Sequence, residues 1–257
     1  MPASSEARAI DIALIRQACS NCSLRHLCLP VGISGKDIDR LDHIVKRRRP
    51  LARGSHVFHM GEPFRALYAI RSGSVKTYTL DEDGSEQVTG FHLPGEIIGL
   101  DAINAEQHHC AAKVLETTSV CELPYNRLDE LTLLVPGLGR QLLRIMSREI
   151  LAEEQLLTVL SKKSAEERLA ALLINLSMRL QERGLSSREF QLSMSRSDIG
   201  NYLGLALETV SRLFTRLQQQ GLIAVQHKRI RIEAMPQLRE LAGLRPAKVS
   251  RCAPDGR

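Results

Sequence analysis

No apolar run in the 257 residues approaches the roughly 20 that a membrane-spanning helix requires. The opening stretch, MPASSEARAIDIALIRQ, has no apolar core of the kind a secretory signal carries, so a cytosolic location is expected. No nucleophile–base set is present. There is also no glycine-rich phosphate loop leading into a helix and no carboxylate pair arranged for acid–base work, so an enzyme is not expected. No internal repeat is found. A chain of this length can bury a core without a disulfide scaffold, and in a reducing compartment clustered cysteines bind metal or act as redox groups.

Cysteines are few but unevenly placed. Cys19, Cys22 and Cys28 fall within CSNCSLRHLC, whereas Cys110, Cys121 and Cys252 are scattered. The Cys-x2-Cys-x5-Cys spacing supplies three thiolates without the second pair of a zinc finger, and His26 inside the loop is a weak competitor. Iron–sulfur centres take four cysteines, commonly a loop of three with a distant fourth. Cys110, beside His108 and His109, is expected in a loop, and Cys121, in SVCELP, in a strand. Spacing alone leaves both open as the fourth ligand. Cys252 has no assigned role.

Charge is uneven as well. Residues 1–160 hold 18 Lys+Arg against 20 Asp+Glu, and residues 161–257 hold 17 against 9. A basic C-terminal third suggests a polyanion-binding module, because phosphate neutralisation dominates nucleic-acid affinity.

Between Pro50 and Pro124, seven glycines separate short apolar or alternating runs such as HVFHM, ALYAI and SVKTYTL. That spacing predicts an antiparallel sandwich or barrel, with DEDGSE (Asp81 to Glu86) as a hairpin tip. The period then changes. Leu143, Met146, Ile150, Glu153, Leu157 and Leu160 form an alternating three–four seam on a long helix, the pattern of a two-stranded coiled coil. Glu153 stands on that seam, so a symmetric dimer brings two Glu153 side chains together. Their repulsion suits a dimer that must be switchable.

Further on, Ser195 and Asp198 fit a capping box opening a short helix that Gly204 ends. A second helix from about Ala206 to Gln220 stops at Gly221. LIAVQ and RIRIE then read as a hairpin, which makes the helix-turn-helix winged. Glu208, Ser211 and Arg212 share one face near the start of the second helix, the part of a recognition helix that meets base edges. Arg212 can donate twice to guanine, Glu208 can accept from cytosine, and Ser211 is adaptable. Val210, Leu213 and Leu217 face the core. The organisation read from this is a flexible segment 1–18, a cysteine loop 19–29, a sensor domain 30–135, a dimerisation helix 136–162, a winged helix-turn-helix domain 163–245 and a disordered tail 246–257.

This order resembles the catabolite-activator superfamily of bacterial regulators. Within it, the chain is similar to the fumarate-and-nitrate-reduction (FNR) and anaerobic-regulator family, through CSNCSLRHLC, LYAIRSGSVKTYT, QVTGFHLPGEIIG, LSKKSAEERLAALLINLS and DIGNYLGLALETVSRL. The resemblance implies an α+β fold: an antiparallel β-roll, cupin-like and cyclic-nucleotide-binding-like, then the dimer helix and the winged helix-turn-helix. It implies a 4Fe–4S cluster on Cys19, Cys22, Cys28 and Cys121, because the family's remote ligand lies in an element matching CELP. It also implies a homodimer when the cluster is loaded, loss of the cluster in oxygen, and activation or repression of anaerobic-metabolism genes. The DNA target would be an inverted repeat of the TTGAT…ATCAA type, read by Glu208, Ser211 and Arg212. The hairpin tip (Asp81, Glu82, Asp83, Gly84, Glu86) would contact RNA polymerase. Cyclic-nucleotide pockets of the superfamily hold the phosphate with an arginine, and here no arginine lies between Arg71 and Arg127. No cyclic nucleotide is therefore expected. The alternative is the same DNA-binding scaffold with another effector: a zinc or thiol redox switch, or a small ligand.

Overall fold

A computed structural model describes residues 19–33 and 35–244. The segment 1–18, the tail 246–257 and Cys252 lie outside the described residues. The described residues fall in two compact units, one within 1–80 and 90–150, the other within 81–89 and 151–257.

The first unit begins with a 3-10 turn at Cys19–Asn21, which runs through further turns to residue 33, and then helix α1 (Gly35–Ile44). Eight short strands follow: β1 (Lys46–Arg47), β2 (His56–Phe58), β3 (Ala66–Ser72), β4 (Val75–Leu80), β5 (Glu86–His92), β6 (Ile97–Ile98), β7 (Ala111–Val114) and β8 (Ser119–Pro124). They form two four-stranded sheets, ordered β1-β8-β3-β6 and β2-β7-β4-β5. Strand β3 is buried on both faces, which is why ALYAI reads as a continuous apolar run. Leu67 and Ala69 enter one core with Leu123 and Ile145, while Ala66, Tyr68 and Ile70 enter a second with Phe58 and Val114. The β4–β5 connection is a tight loop in which the Gly84 N–H donates to the Asp81 carbonyl at 2.9 Å. Asp81 to Ser85 are exposed and Glu86 is half-buried.

After α2 (Leu128–Leu134) comes α3 (Pro136–Lys162), the longest helix. Leu138, Leu142 and Ile145 on one of its faces are buried in the first core. The opposite stripe is bare: Leu143 is 68% exposed, Ile150 56% and Leu157 67%, with Met146 also exposed. Glu153 is exposed and Leu160 half-buried. Among the described residues no helix is long and apolar enough to cross a membrane.

The second unit contains α4 (Ala165–Glu182), β9 (Glu189–Gln191), α5 (Arg196–Leu203), α6 (Leu207–Gln219), β10 (Ile223–Gln226), β11 (Arg229–Ile232) and α7 (Met235–Leu241). Ser164–Glu167 and Ser195–Asp198 are both complete capping boxes, fixing where α4 and α5 begin. The wing has three strands, ordered β10-β11-β9. Strand β9 escapes sequence reading because three residues with one buried Phe190 are too short for alternation to show.

Between α5 and α6 the backbone turns so closely that a Cβ on Gly200 would stand 2.5 Å from the Leu205 carbonyl oxygen. Gly200→Ala is therefore expected to destabilise the second unit by about 1–3 kcal/mol. Thermal melting should show the loss, and DNA binding should fall with it.

Candidate cysteine centre and nucleic-acid interface

The cysteine loop is held in place by specific contacts. The Cys19 N–H donates to Asp42 Oδ1 on α1 at 2.8 Å, and buried Gln141 on α3 donates through Nε2 to the Cys28 carbonyl at 3.3 Å. Cys28 and Cys121 both pack against the first core, beside Leu29, Leu123 and Ile145. Cys121 comes from β8, where Arg47 of β1 is its register partner.

The four cysteines of the expected ligand set form one electrostatic group. The Cys28 thiol is affected by Cys121 and Cys22, Cys19 by Cys121, and Cys121 by Cys22. Burial pushes the Cys19 thiol up to about 12, with the Asp42 carboxylate adding to the effect. Burial also pushes Cys28 up to about 12. Cys121 is raised by burial too, partly offset by Arg47 and Arg71. These thiols are protonated at neutral pH, so binding a metal must expel protons. Among the described residues no three His, Cys, Asp or Glu side chains converge as a ready-made single-ion site. Protonated thiols have no mutual charge demand that would draw them together without a metal.

Cys110 lies elsewhere. It packs against the second core, and its thiol donates to Asp101 Oδ2 at 3.5 Å. Burial and the Asp101 charge both raise it. Three residues of the centre escape sequence reading: Asp42, Arg47 and Gln141. Arg47 lies in the basic run KRRRP, where nothing in the sequence marks it out.

In the second unit, α6 presents Glu208, Ser211 and Arg212 to solvent, while Val210, Leu213, Phe214 and Leu217 are buried beneath them. The Glu208 and Arg212 side chains are each 83% exposed and lie 3.7 Å apart as an i, i+4 pair. At that exposure the pair adds little to stability, so its groups remain available to base edges. Arg216, one turn further, pairs with Glu166 of α4 at 3.3 Å. The Arg196 guanidinium of α5 lies 3.0 Å over the Phe214 ring, which links the two helices of the motif.

Comparison with known proteins agrees with this architecture. Residues 48–133 match the cyclic nucleotide-binding domain, and residues 167–241 match the Crp-like helix-turn-helix domain. The chain is 55% identical over 225 residues to the transcriptional activator protein Anr of Pseudomonas protegens, covering 88% of this chain and 92% of that protein. It is 48% identical over 225 residues to the fumarate and nitrate reduction regulatory protein of Escherichia coli, covering 88% and 90%. Among solved structures it resembles FixK2 from Bradyrhizobium japonicum at 30% identity and a TM-score of 0.71, covering 77% of this chain and 97% of that one. These matches, with an exposed recognition helix and a bare helical stripe in place, show that the chain belongs to the FNR and Anr family of Crp-type, DNA-binding transcription regulators and is not an enzyme.

Proposed function

We propose that the protein is an oxygen-responsive regulator whose Cys19, Cys22, Cys28 and Cys121 hold a 4Fe–4S cluster and which, as a homodimer, binds an inverted repeat of the TTGAT…ATCAA type. The observation that carries this reading is the packing of a loop cysteine, Cys28, and the strand cysteine, Cys121, against one core shared with α3, with Arg47, the register partner of Cys121, 3.9 Å from Cys19 Sγ. The donor set suits the group. A 4Fe–4S cluster takes one cysteine thiolate at each of its four irons, the number of cysteines in this set. When bound, such a cluster supplies an oxygen-labile cross-link between residues 19–28 and β8. Gln141 then has a fixed Cys28 carbonyl to bond, which couples the loop to α3.

The balance on α3 is fine enough for that coupling to matter. Leu143, Met146, Ile150 and Leu157 each leave about 40–70% of their surface exposed, so pairing two helices gains about 6–12 kcal/mol. Association costs about 4–15 kcal/mol, and two facing Glu153 carboxylates subtract about 1–3 kcal/mol more. Glu153→Ala is accordingly expected to tighten dimerisation of the cluster-free protein by roughly tenfold to a hundredfold. Sedimentation equilibrium in air would measure it, and an unchanged dimer constant would remove the repulsion from the mechanism.

On DNA, Glu208, Ser211 and Arg212 of each protomer read one half-site, and the exposed Asp81, Glu82, Asp83 and Gly84, with half-buried Glu86, offer an acidic tip to RNA polymerase. Anaerobic purification with a visible spectrum, followed by DNA binding before and after admitting air, tests the whole reading. Colour and tight binding that disappear together support it. A colourless anaerobic protein that binds zinc or responds to thiol oxidants replaces it with a zinc or thiol switch. Retained colour and binding in air remove the oxygen response.

A further inference from the structure

We propose that Arg47, held in place by Asp42, is a positioning residue of the cysteine centre: it bridges the N-terminal loop to the strand that carries Cys121 and supplies the positive charge the assembled thiolates require. The inference rests on the reading of Cys19, Cys22, Cys28 and Cys121 as a cluster site. Its geometry is particular. Arg47 Nη2 lies 3.9 Å from Cys19 Sγ, and the Arg47 backbone is paired with Cys121 across the β1–β8 ladder. The same guanidinium is paired with Asp42 Oδ1, the oxygen that also receives the Cys19 N–H. Loop, helix α1 and strand β8 thus meet at one side chain.

Position within the basic run does not explain this arrangement. Arg48, the next residue, turns instead to Glu122. Of these two arginines, Arg47 is the one aimed at a thiol. The Arg47 and Asp42 side chains are only 19% and 24% exposed, so their interaction is less screened than that of a surface pair. Asp42 fixes the guanidinium's direction. A guanidinium is always protonated and can serve Asp42 and a sulfur with separate N–H groups of one rigid fork. Four thiolates gathered at one site would otherwise repel one another.

The test compares wild type, Arg47→Gln, Arg47→Lys, Asp42→Asn and Arg48→Gln, each reconstituted anaerobically. The readouts are iron per chain, visible absorbance, the first-order rate of bleaching in air, and thermal melting of the cluster-free chain. Arg47→Gln is expected to bleach about tenfold faster than wild type, the scale seen when a partner of a metal ligand is lost. Arg47→Lys, which keeps the charge and loses the fork, should fall between the two. Asp42→Asn should show a smaller defect, and combining it with Arg47→Gln should add little. Arg48→Gln loses a neighbouring ion pair and sets the scale of a merely structural loss. Bleaching of Arg47→Gln and Arg47→Lys at the wild-type rate, or no faster than Arg48→Gln, overturns the positioning role alone. Should Arg47→Gln not fold, Arg47→Lys and Asp42→Asn decide between the same outcomes. A wild-type chain that holds no iron overturns the cluster reading and this inference with it.

Discussion

Cys121→Ser is expected to leave the anaerobically purified protein without iron or visible colour, while Cys110→Ser keeps both at the wild-type level. The two cysteines lie on different cores of the same β-rich unit, and Cys121 shares its core with the loop cysteine Cys28. A serine hydroxyl at position 121 is a hard, protonated donor that does not replace a thiolate on iron. Cys110 donates to Asp101 and packs against the second core, away from Cys28 and Cys121. Without the fourth ligand of the proposed cluster, residues 19–28 would lose their tie to β8. DNA affinity of Cys121→Ser should then equal that of the air-exposed wild type, at least about tenfold weaker, since each 1.4 kcal/mol of lost coupling is a factor of ten. Iron analysis and an anaerobic titration of an inverted-repeat duplex would measure both effects. A coloured Cys121→Ser protein alongside a colourless Cys110→Ser protein would reverse the assignment.

What the sequence discloses and what it withholds follow a physical division. Features fixed by near neighbours along the chain are legible: the capping boxes at Ser164 and Ser195, the three–four seam on α3, and the buried and exposed faces of α6. Periodicity and local hydrogen bonding determine these, and both are written in order along the chain. Features that depend on register between distant strands are not legible. Nothing in KRRRP marks Arg47 out from Arg48, because the β1–β8 ladder decides which of them stands opposite Cys121. Spacing likewise leaves Cys110 and Cys121 equivalent, and they separate only when β3 sends alternate side chains into two different cores. Gln141 falls within a helix that reads entirely as a dimerisation element, yet its amide bonds the cysteine loop. The sequence thus shows the ligands of the centre far better than their supports.

Arg212→Ala is expected to produce the largest loss on the DNA side and to alter specificity as well as affinity. The Arg212 side chain is 83% exposed near the start of α6, with its guanidinium 3.7 Å from Glu208. A bidentate arginine–guanine contact discriminates by about 1–3 kcal/mol, and a two-fold symmetric dimer makes the contact twice. The expected loss is therefore about 2–6 kcal/mol, from roughly thirtyfold to more than ten-thousandfold. Phosphate contacts would not behave in this way, because removing one weakens all sequences alike and lowers the salt dependence. For Arg212→Ala the salt slope should remain nearly that of wild type. Symmetric substitutions at the guanine in each half-site should cost wild type heavily and the variant little. Arg212→Lys should recover part of the affinity but less of the discrimination, since an ammonium cannot present the planar fork. Glu208 follows the same logic, as it lies 3.7 Å from the guanidinium one turn away and its carboxylate can accept from cytosine. Glu208→Ala should relax selectivity at a second position while leaving that of Arg212 largely in place, provided the two read different base pairs. A uniform loss over every sequence tested would instead assign Arg212 to the phosphate backbone and move base reading elsewhere on α6.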